Sequence, residues 1–147
     1  MATIDVTRTF DAPPEAVFDV LSDHARYDRF RGIRRSELGK EGDPPPNGNG
    51  ALRLIWAGPL RFEEEISGYE RPSRFDYRIV RLNIPFDHDG GQMRFFEEDG
   101  GTRVEWTSTF RIPTPVLGRI EEPVLKVIIE RNFHRVLEDV ERILAAG

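Results

Sequence analysis

A polar side chain set among apolar ones at strand or helix spacing needs a reason, because burying it unpaired costs about 1 to 3 kcal/mol. Three such residues stand out. Glu64 shares one strand parity with Leu60, Phe62, Ile66 and Gly68. If that parity faces inward, the carboxylate enters an apolar space, the setting of a general acid or base or of a partner for a ligand hydroxyl. Two plainer outcomes stand beside it: a bulge or twist turns Glu64 to water, or Arg53 or Arg78 pairs with it. Within Glu63-Glu64-Glu65 a one-residue slip exchanges the faces. Ser108 lies between Trp106 and Phe110 on the same parity, and Asn132 stands four residues from both Ile128 and Val136, facing the sheet in a helical reading. Each has the plain alternative of a satisfied core polar group.

Aromatic residues recur at the same spacings. Trp56, Phe62, Tyr77, Phe95, Trp106 and Phe110, with Leu125 and Ile128 on the helix, are the expected walls of a ligand cavity, and equally suit a packed core. Tyr77 adds a polar handle. The histidines promise less. His24 is expected to face water, His88 to sit in a solvated loop between Asp87 and Asp89, and His134 to lie on the polar edge of a helix. Zinc needs three or four convergent ligands, which this spacing does not supply, so no metal and no cofactor is expected. The chain has no cysteine, no Gly-x-Ser-x-Gly elbow and no Gly-x-x-x-x-Gly-Lys-[Ser/Thr] phosphate loop.

The elements that must position these residues follow from periodicity. Ile4, Val6 and Phe10 alternate along a first strand. Asp11-Ala12-Pro13-Pro14-Glu15 then starts a short helix, since a first turn tolerates proline and favours acidic residues. A second helical turn is expected over Arg26-Tyr27-Asp28-Arg29-Phe30. Strands are expected near Ile33–Lys40, Ala51–Ala57, Leu60–Glu70, Arg74–Leu82, Gly91–Glu98 and Thr102–Ile112. Val104, Trp106, Ser108, Phe110 and Ile112 face one way and charged or hydroxyl residues the other, the pattern of an antiparallel sheet with one wet face. After Pro123 an apolar stripe runs from Leu125 to Leu144 at helical spacing. Such a helix, roughly 36 Å long at ~1.5 Å per residue, crosses a small domain, and only the concave face of the sheet can cover its stripe.

Length and charge bound the rest. The 147 residues make one domain, residues 1–147. No run is long and apolar enough to span a bilayer, and Met1–Asp5 has no signal-peptide pattern, so a cytoplasmic location without stable membrane insertion is expected. A net charge of -5 argues against nucleic acid, and the signs of the patch Arg26, Arg29, Arg31, Arg34 and Arg35 are mixed with Asp23 and Asp28. Homodimerisation is left open.

The opening strand, the run Asp11-Ala12-Pro13-Pro14-Glu15-Ala16-Val17-Phe18-Asp19-Val20-Leu21-Ser22-Asp23, Tyr27 and Phe30, the hairpin Gly100-Gly101-Thr102-Arg103-Val104-Glu105-Trp106 and the terminal helix come in one order. In these features the whole chain resembles the SRPBCC or START-like superfamily, the polyketide cyclase/dehydrase and lipid-transport group. Many members carry tryptophan where Phe30 stands. The resemblance implies an α+β helix-grip fold: an antiparallel seven-stranded sheet wrapped around a long C-terminal helix, with two short helices after the first strand. It also implies a cavity for lipids, sterols, quinones, polyketides or plant hormones, and no universal catalytic residue.

Three functions are therefore carried forward. The first is binding of a small hydrophobic or aromatic molecule, which requires a cavity of roughly 300 Å³ or more. The second is a polyketide cyclase/aromatase-like or hydratase-like enzyme using Glu64. The third is a protein-interaction module of the chaperone-activating or toxin-like type, using Val116, Leu117 and Ile120 in the Pro113–Pro123 segment. The cavity mouth is expected between the Glu41–Gly50 loop, the Leu82–Gly90 loop and the start of the long helix.

Overall fold

The computed structural model describes residues 1–111 and 115–147, with the side chains of all but 115–122. Strand β1 (Ala2–Phe10) is followed by helix α1 (Pro14–Leu21) and a 3₁₀ segment, His24–Arg29. Strands β2 (Arg35–Lys40), β3 (Leu52–Ala57), β4 (Leu60–Glu70), β5 (Arg74–Leu82), β6 (Asp87–Glu98) and β7 (Gly101–Arg111) follow, and α2 (Pro115–Ala146) ends the chain. The sheet has seven strands in the order β1-β7-β6-β5-β4-β3-β2, all neighbours antiparallel. The first strand thus closes on the last, and the rest is a meander built from consecutive hairpins. The β6–β7 turn uses Asp99 (φ 53°) and Gly100 (φ 81°), two left-handed residues whose twist matches that of the strands.

Two boundaries differ from the sequence reading. Strand β6 starts at Asp87, earlier than Gly91, because a bulge between His88 and Gly90 lets pairing with β7 continue. Helix α2 starts at Pro115 and runs through Pro123. Pro115 suits a first helical position, where its missing N–H is not needed. The expected strand residue Ile112 lies outside the described residues, as do the side chains of Val116, Leu117 and Ile120.

The helix meets the sheet unevenly. Val136, Leu137 and Val140 are buried in one core with Ile4, Val6, Phe18, Phe75, Phe95 and Val104. Within it the Phe18 ring stands edge-on to Phe75 and Phe95, with centroids 5.7 and 5.0 Å away. Towards its start the helix stands off: Leu125, Ile129 and Phe133 are only partly buried, and Ile128 is 49% exposed. The space left there holds the polar residues of interest.

Candidate cavity site

The cavity measures about 270 Å³. Strands β3 to β7 form its floor with Ile55, Phe62, Ile79, Trp106 and Phe110, and α2 roofs it with Leu125, Ile129 and Phe133. Trp106 stacks on Phe133 at 3.7 Å between centroids, which fixes the roof to the floor. The exposed lining residues Arg31, Gly32, Ile84, Ile128 and Asn132 mark the mouth. Asp139, buried on α2, accepts the Arg31 backbone N–H and the Arg31 Nε–H, each at 2.8 Å, and so clips one rim to the helix.

At the closed end a buried ion pair crosses from β3 to β4. Arg53 and Glu64 are directly opposite in register, and Arg53 Nε donates to Glu64 Oε1 at 2.7 Å. Both side chains are almost wholly buried, at 2% and 8% exposure, so each charge depends on the other. The guanidinium also lies over the Tyr27 ring at 4.3 Å and the Tyr77 ring at 5.3 Å. Burial is the largest single influence and opposes its charge, but Glu64, Tyr27 and Tyr77 together more than offset it and keep Arg53 above its ordinary range. Glu64 is therefore a counter-ion: of the outcomes open from the sequence, the pairing with Arg53 is the one found, and the reading of an isolated acid or base is set aside.

His24 props this pair from behind. Its Nε2 faces the Asn47 carbonyl at 3.0 Å, which can only accept, so Nε2 carries the proton and Nδ1 receives Arg53 Nη1 at 3.4 Å. Burial, then Arg53, lowers its pKa to about 3, so the ring is neutral. The expectation that His24 faces water is thus overturned. The Glu41–Gly50 loop does not border the mouth either. It folds on itself through Asp43 and Asn49 and covers His24.

The second polar group is centred on Tyr77. Tyr77, Gly91 and Ser108 are paired in one row across β5, β6 and β7. A Cβ on Gly91 would come within 2.1 Å of Tyr77 Cζ, so only glycine leaves room for the phenol to lie across β6. There its oxygen accepts the Trp106 Nε1–H at 2.7 Å. His88, stacked on the Tyr77 ring at 5.5 Å, bonds Ser108 Oγ through Nε2 at 2.8 Å. Its Nδ1 accepts the Ile79 backbone N–H at 2.9 Å. Burial lowers the His88 pKa to about 4, with Asp89 opposing and Arg78 assisting. His88 is therefore inward and neutral, in place of the solvated loop residue expected. The bulge at Gly90 is the reason, since one extra residue reverses the parity of everything before it.

Of the residues read from the sequence, Glu64, Phe62, Tyr77, Trp106, Ser108, Phe110, Leu125, Ile128 and Asn132 line the cavity. Asn132 lies at the exposed mouth, where its Oδ1 accepts Arg135 Nη2 at 3.0 Å, not on the buried face. Two do not reach the cavity. Trp56 is on the outer face, with Arg35 at 4.7 Å and Arg61 at 5.5 Å from its ring. Phe95 packs with Phe18 and Phe75 in the filled part of the core. His88, Tyr27 and Phe86 were missed as lining residues, and Arg53 was read only as one possible partner of Glu64. The Arg53 signal was its register with Glu64, and the His88 signal was the Gly90-Gly91 pair that marks a bulge. His134 is exposed, and among the described residues no three His, Asp or Glu side chains gather as metal ligands would.

A family model described as polyketide cyclase / dehydrase and lipid transport matches residues 1–145. The chain belongs to this family. Solved structures agree on the fold. A protein from Thermus thermophilus, 21% identical, superposes with a TM-score of 0.78 over 99% of both chains. A START superfamily protein from Mycobacterium smegmatis, 10% identical, gives 0.76 over 99% of both. The XoxI protein of Bacillus cereus, 14% identical, gives 0.75 over 97% of this chain and 95% of its own. No curated protein sequence matches. The seven-stranded sheet around a long C-terminal helix is thus the helix-grip architecture of the START-like superfamily. No described helix is long and apolar enough to cross a membrane. In the basic run, Arg29 pairs with Asp23, Arg31 with Asp139 and Glu138, and Arg35 with Glu37.

Proposed function

We propose that the protein binds a small hydrophobic, aromatic molecule of the quinone or polyketide-like kind in this cavity. The observation that carries the reading is the space itself: about 270 Å³, walled by Phe62, Trp106, Phe110 and Phe133, with polar groups on the sheet floor and at the mouth. The volume of about 270 Å³ falls short of the roughly 300 Å³ that the sequence reading required, which removes a ligand of ordinary pocket size and leaves a smaller one. An apolar cavity of ~150 Å³ takes up one benzene. A ligand of two or three fused rings therefore suits the space better than a long-chain lipid.

The enzyme reading finds less support. Glu64 is committed to Arg53. The Ser108–His88 pair has the wrong polarity for a nucleophile and its base, because Nδ1 is occupied by the Ile79 N–H and Nε2 must donate. Carriage or sequestration needs neither group to move a proton.

Native mass spectrometry of the purified protein, followed by denaturing extraction, tests the proposal. A co-purifying aromatic mass, one per chain, released on unfolding, is the expected result. A protein that is empty as isolated and takes up no added bicyclic aromatic overturns it.

A further inference from the structure

Four polar hydrogens meet at the Tyr77 end of the cavity, on His88 Nε2, Trp106 Nε1, Ser108 Oγ and Tyr77 Oη. Tyr77, Ser108 and Trp106 are 4 to 5% exposed, so bulk water does not serve them. His88 gives its hydrogen to Ser108 Oγ and Trp106 gives its own to Tyr77 Oη. Two hydroxyl hydrogens remain, on Tyr77 and Ser108, which belong to one row across the sheet. If Ser108 donates to Tyr77, the Tyr77 proton is left over; if Tyr77 donates, the Ser108 proton is. In both arrangements one hydroxyl proton finds no acceptor among the described residues, and both residues line the cavity.

The charge at this end is balanced. Arg53 is neutralised by Glu64, and His88 donates from Nε2 with Nδ1 already an acceptor, which is the neutral form. A carboxylate entering here would find no unpaired cation.

We propose that the buried end of the ligand is a neutral acceptor oxygen, a carbonyl or a phenolic hydroxyl, received by the spare hydroxyl proton of the Tyr77–Ser108 pair. This rests on the cavity being a ligand site. It adds an orientation to the proposed quinone or polyketide-like ligand, which enters oxygen first.

Calorimetric titration of the intact protein with naphthalene, 2-naphthol, 1,4-naphthoquinone and 2-naphthoate tests it. The chain has no cysteine to trap the quinone. The better of 2-naphthol and 1,4-naphthoquinone should bind at least about tenfold more tightly than naphthalene (~1.4 kcal/mol), and so name which oxygen is preferred. 2-Naphthoate should bind no better than naphthalene. The carbonyl stretch of bound 1,4-naphthoquinone should move to lower frequency in the wild type and less in the double variant Tyr77→Phe, Ser108→Ala, which has neither hydroxyl. Each single variant keeps one spare hydroxyl proton, so the oxygen preference persists in whichever of them folds. Naphthalene binding as tightly as both oxygenated probes would overturn the inference, with water answering the proton. Binding of none of the four would overturn the ligand reading itself.

Discussion

The two halves of the interface between sheet and long helix use the same strands differently. In one half Phe18, Phe75, Phe95, Val104, Leu137 and Val140 fill the space. In the other, Phe62, Phe110 and Phe133 stand around a void, and the sheet face beneath carries Arg53, Glu64, Tyr77, His88 and Ser108. The first half is what a core becomes when density alone matters. The second keeps a hollow and pairs its polar groups almost completely. Filled core and hollow are thus divided along one helix, with Val136 at the boundary.

The largest expected effects test that division. Phe18→Ala, in the filled half, should cost about 3–5 kcal/mol in urea unfolding. Phe62→Ala only enlarges an existing void and should cost clearly less. Equal losses would break the comparison. Arg53→Met leaves Glu64 buried without its partner and should also cost about 3–5 kcal/mol. Arg53→Met combined with Glu64→Leu should recover most of the loss, because neither charge then remains.

Acid should weaken the polar half selectively. Unfolded histidines take up protons below about pH 6.5. Folded His24 and His88 resist until about 3 and about 4. The unfolded state then binds more protons, so stability falls as pH drops through that window, by ~1.4 kcal/mol per pH unit for each histidine. The double variant His24→Gln, His88→Gln should show a shallower slope between pH 6.5 and 4 than the wild type. Unchanged slopes would mean that the two rings are not buried and neutral. Gly91→Ala is a smaller perturbation, about 1–3 kcal/mol of overpacking, and should displace Tyr77 and weaken the preference for oxygenated probes. Trp56→Ala, on the outer face, should leave probe affinity unchanged.

Much of this architecture was readable from residue patterns, and the failures have physical causes. Strand β7 alternates without ambiguity, so the inward positions of Trp106, Ser108 and Phe110 followed from parity. On β3 the same rule misleads. Leu52, Leu54 and Trp56 make the more apolar parity, yet Arg53 and Ile55 face in. The inward arginine is explained by a partner on another strand, which alternation within one strand cannot reveal. His88 was misplaced because a bulge shifts parity by one residue. His24 was misplaced because its cover comes from a loop distant in sequence.

The central claim is that the hollow half receives a small aromatic ligand. Its most direct test is calorimetric titration of 1,4-naphthoquinone at several temperatures, on the wild type and on Ala57→Phe, which places a ring in the cavity from a lining position. The account predicts one site per chain with a negative heat-capacity change in the wild type, as burial of apolar surface requires, and loss of binding in a variant that still melts cooperatively. Undiminished binding to a folded Ala57→Phe, or no saturable heat in the wild type, would contradict it.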